Sequence, residues 1–285
     1  MLCLRRRERF LTAATYLSSR AFPSTLLSPS PSLVQQPNSY PVLIPGVDAL
    51  NHARAQPVSW VVTAPSSASS ASTTNTSHGI ISLVTHGASK AGSEIFNNYG
   101  AKPNSELLLG YGFTLPANPD DTIVLKIGGG SGGSSNSTDA QHEVGRAGRG
   151  AASVWGAIEA AVRKAQEDED EDEEVPEWQI ILDCADMLRS MTESLLTRLP
   201  RLGALSVPVV IPREGPDTLR GDVVEMIDHY VSGQREVLQD LLEYANDREM
   251  DGVLLARRGG VVIQLDMDDG DHADDDDGVS ECDKD

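Results

Sequence analysis

The chain changes character near residue 150, and this change restricts its fold more than any other feature. Before it, short runs of β-branched and apolar residues at 58–62, 80–86 and 120–127 alternate with Pro-, Ser- and Gly-rich stretches. After it, apolar residues recur every three or four positions over long segments. Short β-branched runs are typical of strands, and the longer spacing is typical of helices. The sequence therefore predicts an α+β protein in which a part with short strands precedes an all-helical part.

The second part is expected to contain three helices. The first covers Ala151–Gln166, and the longer apolar repeats at 178–199 and 217–247 predict the other two. We interpret their Leu and Met stripe as helix core rather than as a cofactor-binding surface. Gly233 interrupts the last repeat and is expected to be its weak point, because glycine destabilises the interior of a helix.

The first part is expected to begin with a helix that ends near Ser19. The runs 58–62 and 80–86 are predicted to pair as antiparallel strands, and Glu94–Asn97 to form a third short strand. The stretch "NSELLLGYGF" predicts a helix of one or two turns, with Asn104 or Ser105 as its N-cap.

The net charge of -20 is concentrated in two runs. One is "EDEDEDEE" at 167–174, and the other is the segment 265–285, so the remaining chain is close to neutral. Runs of like charge are usually solvated and disordered, although they can also attract basic proteins. The second interpretation argues against nucleic acid as a partner, because phosphates repel acidic surfaces.

Composition also limits the compartment and the kind of site. No run of apolar residues is long enough to span a membrane, so no membrane association is expected. Cys3, Cys184 and Cys282 lie far apart, and the six histidines are scattered, which predicts no disulfide framework and no metal site. A reducing compartment, the cytoplasm or the nucleus, is the expectation. The Arg-rich opening superficially suits a mitochondrial transit peptide, which is the alternative.

Polar residues that could carry chemistry occur at three places in the first part. These are Ser19–Arg20, Asp48–His52 and Asn97–Tyr99. Taken singly, an Asn-His pair is most often a turn that satisfies its own hydrogen bonds, and a tyrosine after two asparagines is most often a partly buried aromatic residue. Only their combination is informative.

Together the segments "SRAF", "VDALNH", "KAGSEIFNNYGAKPNSELLLGYGF" and "DTIVLKI" resemble, in order and spacing, the second half of the SET domain of one enzyme family. This is the Rubisco large-subunit methyltransferase-like family of protein lysine methyltransferases. The helical part, especially "MIDHYVSGQREVL", resembles the substrate-binding domain of that family. The resemblance implies four segments: the C-terminal part of a SET domain at 1–127, a Gly/Ser and acidic insert with a helix at 128–176, the helical substrate-binding domain at 177–262, and an acidic tail at 263–285.

The resemblance also implies roles for individual residues. Asn51 and His52 match the pair that holds S-adenosylmethionine in the family, with Asp48 in the same segment. Arg20 matches an arginine near the amino-acid end of this cofactor, where a guanidinium suits a carboxylate; its alternative role is an internal salt bridge to Asp48. Tyr99 matches the catalytic tyrosine. The last pair matches aromatic residues that line the lysine channel or belong to the core: Tyr111 and Phe113.

The function that the resemblance implies is S-adenosylmethionine-dependent methylation of lysine in a protein substrate, which could be a basic or ribosomal protein. Two alternatives stay open. One is a catalytically inactive or truncated SET-derived module that binds a basic protein, because the family's N-terminal SET segment has no counterpart in the sequence. The other is a histidine methyltransferase, since the same residues do not distinguish the two acceptors.

Overall fold

A computed structural model describes residues 2–28, 30, 32–34, 36–63, 80–127, 140–169, 175–200 and 220–263. The Ser-rich stretch at 64–78, the glycine linker at 128–139, the acidic residues 170–174 and the acidic tail from 264 onwards lie outside the described residues. The predictions made for those stretches stay predictions.

The first part consists of short strands and two helices. Helix α1 covers Leu2–Arg20 and α2 covers Asn104–Tyr111. The strands form three antiparallel pairs: β1 with β2, β3 with β4, and β5 with β6. Their bounds are β1 Phe22–Pro23, β2 Pro41–Val42, β3 Val58–Thr63, β4 Ile80–Thr85, β5 Thr122–Ile127 and β6 Ala140–Gly145. The predicted pairing of 58–62 with 80–86 is confirmed, with Trp60 opposite Leu83.

Three helices form the second part, as the periodicity predicts. They are α3 Ala151–Glu169, α4 Glu177–Arg198 and α5 Gly221–Arg258. The main core lies among these helices and the β5–β6 hairpin, which contributes Leu125 and Val144. Met187, assigned to the core from its spacing, is instead 49% exposed. Its neighbours Cys184 and Leu188 are fully buried, so the buried face of α4 is narrower than the apolar stripe in the sequence.

The α+β class is thus confirmed, and the two parts share one core. Strand β6 and helix α3 belong to the stretch that the sequence assigned to an insert, yet Val144, Val154 and Ile158 pack with the residues of α4 and α5. Burial of such side chains stabilises each by about 1.5–3 kcal/mol. The division into four segments itself stays a prediction.

Helix α5 runs through Gly233 without interruption. A Cβ added at this position would lie 2.0 Å from Asp121 Oδ2, whose side chain is fully buried. Glycine is therefore required because the start of β5 approaches the helix closely here. Helix propensity alone does not indicate this role, because it describes an isolated helix whereas Gly233 lies at a tertiary contact.

Two local predictions in the first part are wrong. Residues 94–97 form no strand, and only a single parallel bridge joins Asn97 to His52. Side chains compete with a strand ladder here, since Asn97 Oδ1 and Asn98 Oδ1 accept backbone N–H groups of the following residues. Helix α2 is preceded by Pro103 without a side-chain cap, and the N–H of Asn104 donates to the Asp121 carboxylate instead.

Candidate active site

The three polar segments converge at one place in the first part. The N–H of Asn97 donates to the Asn51 carbonyl at 2.8 Å, and the N–H of Ala53 donates to the Asn97 carbonyl at 2.9 Å. These bonds place the segment 51–53 beside the segment 97–99. Arg20, at the end of α1, lies against both. Groups that are far apart in the chain therefore surround one point.

The Arg20 guanidinium is the centre of this cluster. Its Nη1 donates to the Asp48 carbonyl at 3.3 Å, to the Leu50 carbonyl at 3.1 Å and to Tyr99 Oη at 3.2 Å. Among the described residues no ion pair joins Arg20 to the Asp48 carboxylate, which accepts the N–H of Gly46 at 3.1 Å. Asp48 thus contributes its backbone, and its side chain closes its own turn.

Asn51 connects this cation to an acid. Its Oδ1 accepts a hydrogen bond of 2.9 Å from Arg20 Nη2, and its Nδ2 donates to Glu94 Oε1 at 2.7 Å. Both polar atoms of the amide therefore have a partner of complementary charge, since the oxygen faces a cation and the nitrogen faces an anion. Asn51 is exposed, so these bonds lie at the edge of the cluster.

The Tyr99 phenol is held by two hydrogen bonds. It donates to the Leu50 carbonyl at 2.7 Å and accepts from Arg20 Nη1. Burial raises the pKa of Tyr99, and the positive charge of Arg20 offsets part of that shift. The phenol therefore stays protonated near neutral pH, where it offers an oriented dipole rather than a base.

His52 supports the backbone of Tyr99. The Tyr99 N–H donates to His52 Nδ1 at 3.0 Å, so Nδ1 carries no proton in this arrangement. The two rings stack with their centroids 5.1 Å apart. Burial lowers the pKa of His52, and the nearby charges of Lys102 and Arg54 lower it further. The imidazole is therefore uncharged at neutral pH, and its hydrogen bond joins the segment 51–53 to the segment 97–99.

Two further aromatic rings extend the cluster. The Tyr111 ring lies 5.0 Å from the Tyr99 ring, with Lys102 Nζ 5.6 Å from its centroid. Phe113 lies 6.0 Å from the His52 ring. A cation is stabilised over such a ring face, and here the ammonium group of Lys102 occupies that position over Tyr111.

A pocket of about 1190 Å³ opens onto this cluster. One wall is the apolar face of α1 with Phe10 and Leu17, and another is Trp60 with Phe22, whose rings pack edge to face at 4.9 Å. Among the predicted site residues, the pocket is lined by Arg20, Asp48, Tyr99 and Tyr111. Asn51, His52 and Phe113 do not line the pocket, but each contacts a residue that does: Arg20, Tyr99 and Tyr111 respectively.

A large concave pocket with apolar walls and a few converging polar groups is typical of a site for an organic ligand. Within the ranges that the structure describes, no group of three His, Cys, Asp or Glu side chains could hold a metal ion. The described helices also include none that could cross a bilayer.

Three members of the cluster were not predicted from the sequence. The Leu50 carbonyl accepts from both Tyr99 and Arg20, and a backbone acceptor leaves no signal in residue identity. Lys102 lines the pocket and Glu94 bonds to Asn51. Both lie inside the segment that carries the family resemblance, so the signal was present, but neither was assigned a role.

Known proteins resemble this chain over part of its length, although no family model matches it. Over 120 residues the chain is 37% identical to ribosomal lysine N-methyltransferase set10 of Schizosaccharomyces pombe, covering 42% of this chain and 19% of that protein. Over 118 residues it is 34% identical to ribosomal lysine N-methyltransferase 1 of Saccharomyces cerevisiae, covering 41% and 17%. The chain thus spans less than one fifth of the length of these relatives in the matched region.

Solved structures give the fold. The SET domain of LSMT bound to lysine and AdoHcy matches with a TM-score of 0.55 at 17% identity, covering 87% of this chain and 58% of that one. Rubisco LSMT bound to sinefungin and monomethyllysine matches with a TM-score of 0.55 at 18% identity, covering 85% and 55%. The predicted resemblance to the Rubisco methyltransferase-like SET fold is confirmed by these matches.

Proposed function

We propose that this chain carries the site of a protein-lysine N-methyltransferase that uses S-adenosylmethionine. The observation that carries the proposal is the convergence of Arg20, Asn51 and Tyr99 at one pocket, in a chain with the fold of a SET methyltransferase. The partial sequence matches, to two proteins named as lysine N-methyltransferases, support the same reaction class.

The residues present fit this cofactor. Arg20 uses Nη1 and one N–H of Nη2 in the cluster, while no acceptor among the described residues contacts its Nε. The Nε–H and the remaining Nη2–H are then left as donors, and a guanidinium suits a carboxylate. The apolar walls of the pocket suit the adenosine part. Asn51 and His52 then act by holding Arg20 and the Tyr99 backbone, and their direct contact with the cofactor stays a prediction.

The bound cofactor supplies a methyl group on a sulfonium, and the chain positions the acceptor. Once a lysine side chain has lost its proton to solvent, its neutral amine would accept this methyl group, and the sulfonium would become a neutral thioether. Burial raises the pKa of Tyr99, so it would meet the cofactor as a phenol and not as a phenolate. Its oxygen, fixed by Leu50 and Arg20, presents an oriented dipole near the reacting charge. Tyr111 lines the pocket beside Tyr99, where it would form part of the channel for the lysine side chain.

The partner in this proposal is a protein. Helices α3, α4 and α5 form the unit that would present it, and the acidic runs favour a basic substrate. Because the two relatives are named for ribosomal lysine methylation, ribosomal proteins are the first substrates to test.

We also propose a cytoplasmic or nuclear location, since the widely spaced cysteines indicate no disulfide framework. Imaging of the fluorescently tagged chain checks this.

Calorimetric titration with S-adenosylhomocysteine tests the cofactor, and transfer of labelled methyl groups to ribosomal proteins tests the reaction. We expect binding by the chain, and about tenfold or greater weakening in Arg20→Lys, because an ammonium cannot replace the planar fork. Mass spectrometry of the product identifies the modified residue. Methylated histidine would support the histidine alternative. Absence of binding in the folded chain would contradict the proposal and favour the non-catalytic protein-binding module.

A further inference from the structure

Glu94 is an exposed acid with no assigned role, yet it makes one specific contact. Its Oε1 accepts a hydrogen bond of 2.7 Å from Asn51 Nδ2. The chain separates the two residues by 43 positions, so the contact is tertiary and depends on the pairing of segments around His52 and Asn97. No other hydrogen bond holds Asn51 Nδ2 among the described residues.

An asparagine amide has two orientations of similar shape that exchange an acceptor for a donor. In the observed orientation Asn51 Oδ1 faces the Arg20 cation and Nδ2 faces the Glu94 anion. The opposite orientation would place an NH2 group against the guanidinium and an oxygen against the carboxylate, and both contacts would be repulsive. Glu94 therefore selects the orientation that gives Arg20 an acceptor.

Arg20 transmits this selection to the pocket. The guanidinium that Asn51 orients also donates to Tyr99 Oη and to the Leu50 carbonyl, which is the acceptor of the Tyr99 hydroxyl. Because the guanidinium is planar and rigid, fixing Nη2 also fixes Nη1. Displacement of one corner displaces the other.

We propose that Glu94 is a positioning residue: its carboxylate fixes the Asn51 amide and, through Arg20, sets the position of the Tyr99 phenol. The orientation of the amide follows from the contacts alone, and its effect on methyl transfer rests on the function proposed above. Glu94 itself does not line the pocket.

Three substitutions separate this role from a general effect of charge. Glu94→Gln keeps an acceptor oxygen for Asn51 Nδ2, Glu94→Ala removes the acceptor, and Glu94→Lys offers only donors and favours the opposite orientation. If the charge alone mattered, the glutamine and alanine variants would behave alike. If the acceptor matters, the loss increases in the order Gln, Ala, Lys.

The test has an arm that needs no activity. In nuclear magnetic resonance spectra, the Asn51 side-chain amide signals, assigned by their loss in Asn51→Asp, should move in the alanine and lysine variants and stay near their original positions in the glutamine variant. The control Glu177→Ala removes another exposed carboxylate, which bonds to Arg163 on the helical part. It should leave these signals unchanged. All variants should unfold at nearly the same temperature, because the site is exposed.

The second arm measures kcat and KM for the methyl acceptor and the affinity for S-adenosylhomocysteine. Since a displacement of about 1 Å can reduce a rate by about 100-fold, we expect kcat/KM to fall by about threefold, tenfold and 100-fold in the Gln, Ala and Lys variants. The proposal is overturned if Asn51 signals in Glu94→Ala match the unmodified chain, or if Glu94→Gln is as impaired as Glu94→Lys. A chain that neither binds cofactor nor transfers methyl groups contradicts the proposed function, and the amide signals still decide the role of Glu94.

Discussion

Two asparagines in this molecule are held in the same way in different surroundings. Asn51 accepts from Arg20 and donates to Glu94, at an exposed edge of the pocket. Asn104 accepts from the Leu115 N–H and donates to Asp121 Oδ2 and to the Leu115 carbonyl, and it is completely buried. In both pairs a carboxylate fixes the orientation of the amide.

The two sites differ in whether water can replace the carboxylate when it is removed. Water can replace Glu94 at the open site, so its removal is expected to alter geometry with little effect on stability. Water cannot readily reach Asp121, which lies between α2 and Gly233 of α5, with Arg146 Nη2 3.9 Å away. Burial raises the pKa of Asp121 although these partners favour its charged form. The buried cluster around Asp121 therefore stabilises the contact between the two parts of the molecule. The exposed cluster around Asn51 contributes little to stability and mainly sets the geometry of the pocket.

The largest effect is expected at the buried cluster. Asp121→Ala leaves the backbone N–H and one amide hydrogen of Asn104 without an acceptor, and it removes the carboxylate near Arg146. We expect the free energy of unfolding to fall by about 4 kcal/mol. The neighbouring Asp120→Ala breaks the ion pair with the partly exposed Arg54 and should lower the free energy of unfolding by a smaller amount, about 1 kcal/mol. Urea denaturation measures both, and equal losses would contradict the distinction.

The second effect concerns the contact between Gly233 of α5 and the Asp121 carboxylate. Gly233→Ala places a Cβ where Asp121 Oδ2 now lies, so the helix or the carboxylate must shift. We expect a loss of about 3 kcal/mol in the free energy of unfolding. Gly156→Ala in α3 is the matched control, because open space surrounds that position and alanine favours a helix by about 1 kcal/mol. The melting temperature should fall for Gly233→Ala and rise for Gly156→Ala. A higher melting temperature for Gly233→Ala would show that the contact with Asp121 can adjust without strain.

The contact between Gly233 and Asp121 also illustrates how much could be predicted from the sequence. Hydrophobic spacing located the three helices of the second part and the strands β3, β4 and β5, because local periodicity determines such elements. The order and spacing of the motifs also grouped Arg20, Asn51 and Tyr99 as members of one site. Neither signal indicated that Gly233 meets Asp121, or that Glu94 meets Asn51, because those contacts join positions far apart in the chain. Local patterns carry no information on which distant side chain lies opposite.

The third effect sharpens the functional side of the comparison. Tyr99→Phe removes the hydroxyl that bonds to Leu50 and Arg20 and keeps the ring against His52. We expect the rate of methyl transfer to fall by about 100-fold, equivalent to about 2.7 kcal/mol, with little change in cofactor affinity. Stopped single-turnover assays measure the rate, and calorimetry measures the affinity. An unchanged rate would remove Tyr99 from the catalytic role, while a rate and an affinity that fall together would indicate a role in binding.

The smallest effect is a dependence of stability on pH that arises from His52. Its Nδ1 accepts the Tyr99 N–H, and its pKa in the folded chain is lowered from the ordinary value of 6.5. Above pH 6.5 the ring is neutral in both states, and the hydrogen bond contributes fully. As the pH falls below 6.5 the unfolded chain takes up the proton first, so folding loses stability until the lowered pKa is passed. His52→Gln cannot take up this proton and should lack that part of the slope. Chemical denaturation of both chains between about pH 5 and 7.5 measures the difference. If the two slopes coincide, His52 is not the neutral support of Tyr99, and the exposed cluster depends on Arg20 and Asn51 alone.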